Sequence, residues 1–269
     1  MHIDIVPSRV LCTGLCVLAL FLLPGTPLAG PFSRADDTRP LPPERWTNWE
    51  VVGLDLRLGG TYLDGNVDHL GLSGEAGFSW RFLPDHSVFL SGSGSYAEFG
   101  GDTKIEKTSG SFLYAYGIHK NWNIYAYSTY AHNKFLALDY RLTNSLGVCV
   151  HSFLPDLFDP ILFSAGATHE HEAFEDDTTA QAWRPTLRLN FELPANDYVR
   201  LGADFFWVPS VEDLSDYRIY AETYAELKIT KNIFAFRITA ADEYDSMPRE
   251  GVESNDLMLL GSIVVRAGK

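Results

Sequence analysis

Residues 216–229 read Asp216-Tyr-Arg-Ile-Tyr-Ala-Glu-Thr-Tyr-Ala-Glu-Leu-Lys-Ile229. Tyr217, Ile219, Ala221, Thr223, Ala225, Leu227 and Ile229 occupy one set of alternate positions, and Arg218, Tyr220, Glu222, Tyr224, Glu226 and Lys228 the other. Wound as a helix, the stretch would scatter its charges around the whole circumference. Extended, it has one apolar and one ionic face, so the period of two predicts a strand.

The same split recurs on either side. Val52, Leu54, Leu56, Leu58 and Tyr62 oppose Asp55, Arg57 and Thr61, and Leu72, Ala76, Phe78, Trp80 and Phe82 oppose Ser73, Glu75, Ser79 and Arg81. Tyr140, Leu142, Leu146, Val148 and Val150 oppose Asp139, Arg141, Thr143, Ser145 and His151; Val199, Leu201, Ala203, Phe205 and Trp207 oppose Arg200 and Asp204. Residues 86–98 and 107–119 are ambiguous, with Gly and Ser on both faces. Between turn signals lie twelve segments: 50–63, 67–82, 86–98, 107–119, 121–133, 138–152, 160–172, 180–193, 197–208, 216–229, 232–245 and 255–267. None calls for a helix. Most are far longer than the ~5–6 residues usual in soluble sheets, and at a tilt of ~40° they span ~30 Å, the thickness of a bilayer core.

Connections and aromatics point the same way. Leu83-Pro84-Asp85, His119-Lys120-Asn121, Pro194-Ala195-Asn196 and Thr230-Lys231-Asn232 are tight turns, and Phe153–Asp159 is the longest on that side. The alternate connections, Phe99–Glu106, Ala173–Thr179, Pro209–Ser215 and Ser246–Ser254, are expected to be longer, acidic loops, with Asp64-Gly65-Asn66 a short exception. Short turns on one rim and loops on the other suit an outer-membrane barrel with the turns periplasmic. Trp49, Trp80, Phe82, Trp122, Phe191 and Phe234 fall toward the turn rim. Tyr62, Tyr96, Tyr130, Tyr140, Trp183, Trp207, Tyr217 and Tyr244 fall toward the other, as two interfacial girdles would. The expected fold is therefore all-β: an up-and-down antiparallel transmembrane β-barrel of about twelve strands. A soluble β-sandwich also alternates, but fits one unbroken meander of long strands poorly.

The start of the chain suits export. Arg9, the apolar run Val10–Leu23, the breakers Pro24 and Gly25, and Pro27-Leu28-Ala29 give 1–29 the three parts of a cleaved signal peptide. As a helix the apolar run would cover ~21 Å, too short for a permanent span. Residues 30–48, rich in Pro and charge, are expected to be a flexible periplasmic lead-in, and 49–269 the barrel, placed in the outer membrane. Cys12 and Cys16 leave with the signal, so Cys149 alone cannot form an internal disulfide. Of 269 residues, 21 are Lys or Arg and 35 Asp or Glu, a net charge of −14 that argues against nucleic acid as a partner.

Fifteen charged residues should face the lumen: Asp55, Arg57, Glu75, Arg81, Asp139, Arg141, Arg188, Glu192, Arg200, Asp204, Arg218, Glu222, Glu226, Lys228 and Arg237. Interleaved signs favour mutual pairing over an ion filter. Twelve strands at ~4.7 Å spacing and ~40° tilt make a backbone cylinder ~23 Å across, which inward side chains would largely fill. A narrow or plugged lumen is expected, not a wide pore.

Other chemistry is thin. In His169-Glu170-His171-Glu172, His169 and His171 share a face and could bridge a cation, but no third ligand has a fixed spacing, so no metal site is assigned. His151 and Ser152 are adjacent, hence on opposite strand faces, and cannot form a nucleophile–base pair. The Ser91-Gly92-Ser93-Gly94 run has no following helix, which speaks against a phosphate cradle there. Neither a cofactor nor an enzymatic activity is expected. The acidic loops should attract divalent cations or cation-bridged lipopolysaccharide by their field.

Several short motifs, in order, resemble a known family. Gly65-Asn66-Val67-Asp68 is followed by Leu138-Asp139-Tyr140-Arg141 with Gly147, then Asp216-Tyr217-Arg218 and Thr230-Lys231-Asn232. Tyr244-Asp245-Ser246-Met247-Pro248 with Asp256 completes the set. Over about 50–267 the chain is similar to the YdiY-like salt-induced outer membrane proteins, the domain-of-unknown-function family 481. The resemblance implies a Gram-negative outer-membrane barrel without an established activity or ligand. Its partners would be outer-membrane lipids, lipopolysaccharide and the barrel-assembly machinery. The chain departs from the usual aromatic end of such barrels, closing with Val265-Arg266-Ala267-Gly268-Lys269. The expected role is a stress- or salt-linked envelope protein with a narrow or plugged lumen. A narrow channel for small solutes or ions is the alternative, and a membrane-embedded lipid-modifying enzyme a distant third.

Overall fold

A computed structural model describes residues 52–63, 69–99, 102–134, 137–151, 161–230, 233–248 and 254–268. The expected signal peptide and lead-in, the Asp64-Gly65-Asn66 turn and the Phe153–Asp159 connection lie outside them. Twelve strands follow in order: β1 (Val52–Leu63), β2 (His69–Leu83), β3 (His86–Phe99), β4 (Asp102–His119), β5 (Trp122–Asn133) and β6 (Leu138–His151), then β7 (Ile161–Phe174), β8 (Thr179–Pro194), β9 (Val199–Pro209), β10 (Tyr217–Lys228), β11 (Phe234–Asp245) and β12 (Asn255–Gly268). Each pairs antiparallel with its sequence neighbours, and β1 pairs with β12, closing the barrel so that no strand keeps an open edge. No helix among the described residues is long and apolar enough to cross a membrane; the crossing elements are strands.

Burial is inverted relative to a soluble protein. Leu58 is 68% exposed and Leu146 67%, while Glu226 and Arg188 are each at 1%. Alternation aims the apolar side chains outward, and the ionic ones fill the interior, the arrangement a hydrocarbon surround selects. This is a transmembrane β-barrel. Trp80, Phe82, Trp122 and Phe234 are exposed toward the turn rim, and Tyr96, Tyr130, Trp183 and Trp207 toward the opposite rim.

Two expectations are corrected. Phe99–Glu106 is not a long loop: β3 runs to Phe99 and β4 begins at Asp102, joined in one ladder with a register shift at Ala97/Glu98. Ala173–Thr179 likewise shrinks to 175–178 between β7 and β8. The contrast between the rims is therefore weaker than the sequence suggested. Beyond the lipid, both faces of a strand meet water, so the ladder can continue through polar residues with no alternation to mark it.

Asp139 is the second kind of correction. It is the unpaired residue at the register shift between Leu138 and Tyr140 and is exposed, whereas Arg141 is buried. A β-bulge inserts one residue and resets the in–out parity, so counting back from Arg141 in steps of two assigns Asp139 to the wrong face.

Candidate functional site

The lumen is the one place where charge, burial and geometry converge, and Glu170 on β7 is its hub. Arg184 on β8 donates from Nε to Glu170 Oε1 at 3.2 Å, and Arg141 Nε on β6 lies 3.8 Å from Oε2. Arg218 on β10 donates from Nη1 to both carboxylate oxygens, at 3.0 and 2.9 Å. Because β7 pairs only with β6 and β8, that last contact reaches through the lumen over the intervening β8 and β9. Glu172, the next inward position, pairs with Arg141 Nη2 and accepts from Arg141 Nε at 2.7 Å and Arg218 Nη2 at 3.4 Å. Arg184 Nη2 also reaches Asp216 Oδ2 at 2.8 Å, and Arg218 Nε reaches Asp245 Oδ2 at 3.3 Å. Arg141, Arg184 and Arg218 thus meet Glu170, Glu172, Asp216 and Asp245. Glu170, Glu172, Arg141 and Arg184 are buried, and charge-assisted hydrogen bonds between opposite signs offset the loss of water around them.

A second cluster lies nearer the turn rim. Glu226 accepts from Arg237 Nε and Nη2 at 3.0 and 2.7 Å, and from Arg266 Nη1 and Nη2 at 2.8 Å each. Arg266 Nε then lies 3.3 Å from Asp55 Oδ1, so the cluster links β10, β11, β12 and β1 across the seam where the chain closes on itself. Between the clusters Arg188 donates from Nε to Asp204 Oδ1 at 2.9 Å, its guanidinium 4.5 Å above the Phe206 ring. Glu192 accepts from the Tyr224 hydroxyl and pairs with Arg200 at 3.4 Å. The Tyr224 ring lies 3.8 Å beneath the Arg237 guanidinium and flat over Gly202, its cross-strand partner, where a Cβ would fall within the ring. Tyr125 covers Gly147 and Gly166 in the same way: a Cβ on Gly147 would stand 2.5 Å from the ring, and one on Gly166 2.6 Å from its hydroxyl.

The far wall is different. Phe89, Leu113, Ala115, Tyr125, Tyr127, Cys149 and Leu162, from β3 to β7, form a buried apolar cluster inside the barrel. Above it runs a hydroxyl ladder, with Ser91–Ser111 at 2.6 Å and Ser93–Ser109 at 2.7 Å. The Ser145–Thr168–Thr186 chain, at 2.7 and 2.8 Å, continues the polar lining on β6–β8.

Of the fifteen residues expected inside, Asp55, Arg57, Glu75, Arg141, Arg188, Glu192, Arg200, Asp204, Arg218, Glu226 and Arg237 stand in the ion pairs above or, for Arg57 and Glu75, in their own at 3.2 Å. Glu222 accepts from the Tyr220 hydroxyl at 2.6 Å. Lys228 and Arg81 are half-buried at the turn rim, and Asp139 is outside. Sequence reasoning missed the hub. It weighed His169 and His171, which face outward: the His169 ring packs 4.9 Å from Trp183, and His171 Nε2 is 3.1 Å from the Tyr140 hydroxyl. Their neighbours Glu170 and Glu172, at inward parity opposite Thr143 and Arg141, carry the network. Arg184, four residues before Arg188, shares its parity and was equally readable.

The loop rim is latched. The Ser246 hydroxyl accepts from Tyr217 N at 2.7 Å and donates to Ser215 O at 2.7 Å, and Glu175 N donates to Ala137 O at 2.9 Å. Ser215 donates to Asp213 Oδ1 from its amide at 2.9 Å and its hydroxyl at 2.6 Å, holding that exposed carboxyl below its ordinary range.

A closed antiparallel barrel with an apolar exterior and an ion-paired interior defines the class: a membrane-spanning β-barrel. Within it, the chain belongs to the family described as "Protein of unknown function, DUF481", whose model matches residues 56–266. No curated protein matches the chain. Among solved structures it is similar to the translocator domain of the autotransporter NalP from Neisseria meningitidis, at 10% identity and a TM-score of 0.47, over 81% of this chain and 87% of that one. It is also similar to the KdgM porin in complex with disordered oligogalacturonate, at 12% identity and a TM-score of 0.44, over 81% and 99%. The CymD monoaromatic hydrocarbon channel matches at 10% identity and a TM-score of 0.45, over 85% and 91%.

Proposed function

We propose that the protein is an outer-membrane barrel whose lumen is closed at rest, an envelope component and not a diffusion pore. The observation that carries this reading is the bond of Arg218 to Glu170 inside the lumen, over the intervening β8 and β9, joined by the Arg141, Arg184 and Glu172 pairs. A solute entering from the loop rim would have to part guanidinium–carboxylate pairs already shielded from water, which costs several kcal/mol once either partner is left alone. Beyond them the apolar cluster of β3–β7 removes the polar lining that hydrated ions need. The signal-peptide pattern of residues 1–29 supports an outer-membrane location, and the motif resemblance to the YdiY-like salt-induced proteins supports a salt-linked role.

One observation favours the narrow-channel reading. Ser93 is exposed on the inward face of β3, next to the Ser91–Ser111 pair, so a hydroxyl-lined lane runs along β3 and β4. Planar-bilayer recording separates the two. A closed lumen predicts a quiet baseline for the wild type at moderate voltage; discrete openings in the wild type overturn it in favour of the lane.

A further inference from the structure

At the turn rim the lumen ends in a cavity of about 430 Å3 lined by Arg81, Pro84, Asp85, Tyr116–Lys120, Asn123 and His151. That volume falls within the range of small-ligand sites and is too large for a bare ion alone. We propose that this cup binds a phosphate group, either of a soluble phosphate ester or of a phospholipid headgroup.

Three independent observations converge on it. Arg81 is the one arginine among the described residues outside an ion pair: Arg57, Arg141, Arg184, Arg188, Arg200, Arg218, Arg237 and Arg266 all meet carboxylates. Lys120 lines the same cup and is likewise joined to no carboxylate among the described residues, although Asp85 is part of the wall. In a chain of net charge −14, Arg81 and Lys120 still outnumber Asp85 around this cavity, and the excess positive charge favours an external anion. Third, Asn123 is 2% exposed and its Nδ2 donor has no partner. A buried amide donor left unpaired is costly unless a ligand oxygen completes it.

The chemistry of the wall selects the ligand. A guanidinium fork and an ammonium suit the oxygens of a phosphate, and His119 and His151 add imidazoles beside them. Tyr116 and Ile118 are 39% and 50% exposed at the edge of the apolar face, level with the turn-rim aromatics, so the cup opens toward both lipid and water. A headgroup phosphate could enter from the lipid side with its glycerol against Pro84 and Tyr116, and a free phosphate ester from the aqueous side.

The test uses the full barrel in dodecyl maltoside micelles, whose headgroups carry no phosphate. Calorimetry with glycerol 3-phosphate reads the soluble source, and native mass spectrometry after doping with phosphatidylglycerol reads the lipid source. Saturable binding in either arm, weakened about tenfold by Arg81→Gln or Lys120→Gln and by Asn123→Asp, supports the cup. Lys228→Gln, an equal loss of charge elsewhere on the same rim, should leave binding unchanged. Heat-modified gel mobility establishes that each variant is folded, and Lys120→Gln, at an exposed position, serves if Arg81→Gln is not. No saturable binding in both arms, or an equal loss in Lys228→Gln, overturns the proposal while leaving the closed-lumen reading intact.

Discussion

Arg218 on β10 and Glu170 on β7 meet inside the barrel over the intervening β8 and β9, one guanidinium nitrogen bonded to both carboxylate oxygens at 3.0 and 2.9 Å. A bond of this kind fixes the curvature of the β7–β10 arc as neighbouring-strand pairs cannot. Its energetic value lies less in net attraction than in the cost of breaking it. Removing Glu170 would leave Arg141, Arg184 and Arg218 sharing Glu172, Asp216 and Asp245.

Glu170→Gln is therefore expected to destabilise the barrel by ~1–3 kcal/mol, the cost of losing charge-assisted hydrogen bonds while each arginine keeps another carboxylate. Urea unfolding in detergent micelles, followed by tryptophan fluorescence, measures it. Glu170→Met combined with Arg218→Met should recover part of the loss, and a double-mutant cycle reads the coupling directly. An unchanged midpoint for Glu170→Gln would deny the hub its structural role.

Gly202 is required by the ring above it. Gly202→Ala puts a Cβ into Tyr224, whose hydroxyl is held by Glu192 and whose upper face is covered by Arg237. The ring cannot slide aside without losing both, and an overpacking cost of ~1–3 kcal/mol is expected. Tyr224→Ala in the same chain should relieve the steric part, so the two substitutions together should cost less than their sum.

Ala137 has φ of 49°, a left-handed conformation in which its Cβ crowds the carbonyl. Its own carbonyl accepts from Glu175 N at 2.9 Å, which fixes the conformation. Ala137→Gly should raise stability by about 1 kcal/mol, visible as a higher thermal midpoint. A fall would mean that the lost alanine side chain outweighs the relieved strain.

How much of this could be read from the sequence depends on what each strand's inward face carries. The outline of β10 was plain because Arg218, Glu222 and Glu226 alternate with apolar residues. β3 and β4 were ambiguous for a reason the fold supplies. Their inward positions hold Phe89, Leu113 and Ala115, packed in the apolar cluster, beside Ser91 and Ser111, while Gly92, Gly94 and Gly110 face out. When both faces mix apolar and small polar groups, period two carries little contrast. Asp139 was misassigned because a bulge changes parity without a sequence mark. The Glu170 hub was hidden in plain view, since attention went to the histidines flanking it. Arg266 was passed over at the chain's end, yet it links Glu226 to Asp55 across the closing seam.

The central claim is that one strand face meets lipid while the other is enclosed, and nitroxide scanning along β6 tests it most directly. In a Cys149→Ala background, labels placed one at a time at residues 142–146 and 148, leaving out Gly147 beneath the Tyr125 ring, are compared for collision with oxygen, which partitions into lipid, and with a water-soluble nickel chelate. The account predicts a strict period of two: positions 142, 144, 146 and 148 share the outward parity, so labels there should favour oxygen strongly, and those at 143 and 145 should be shielded from it. Outward positions that collide freely with the nickel chelate, or accessibility without alternation, would contradict it.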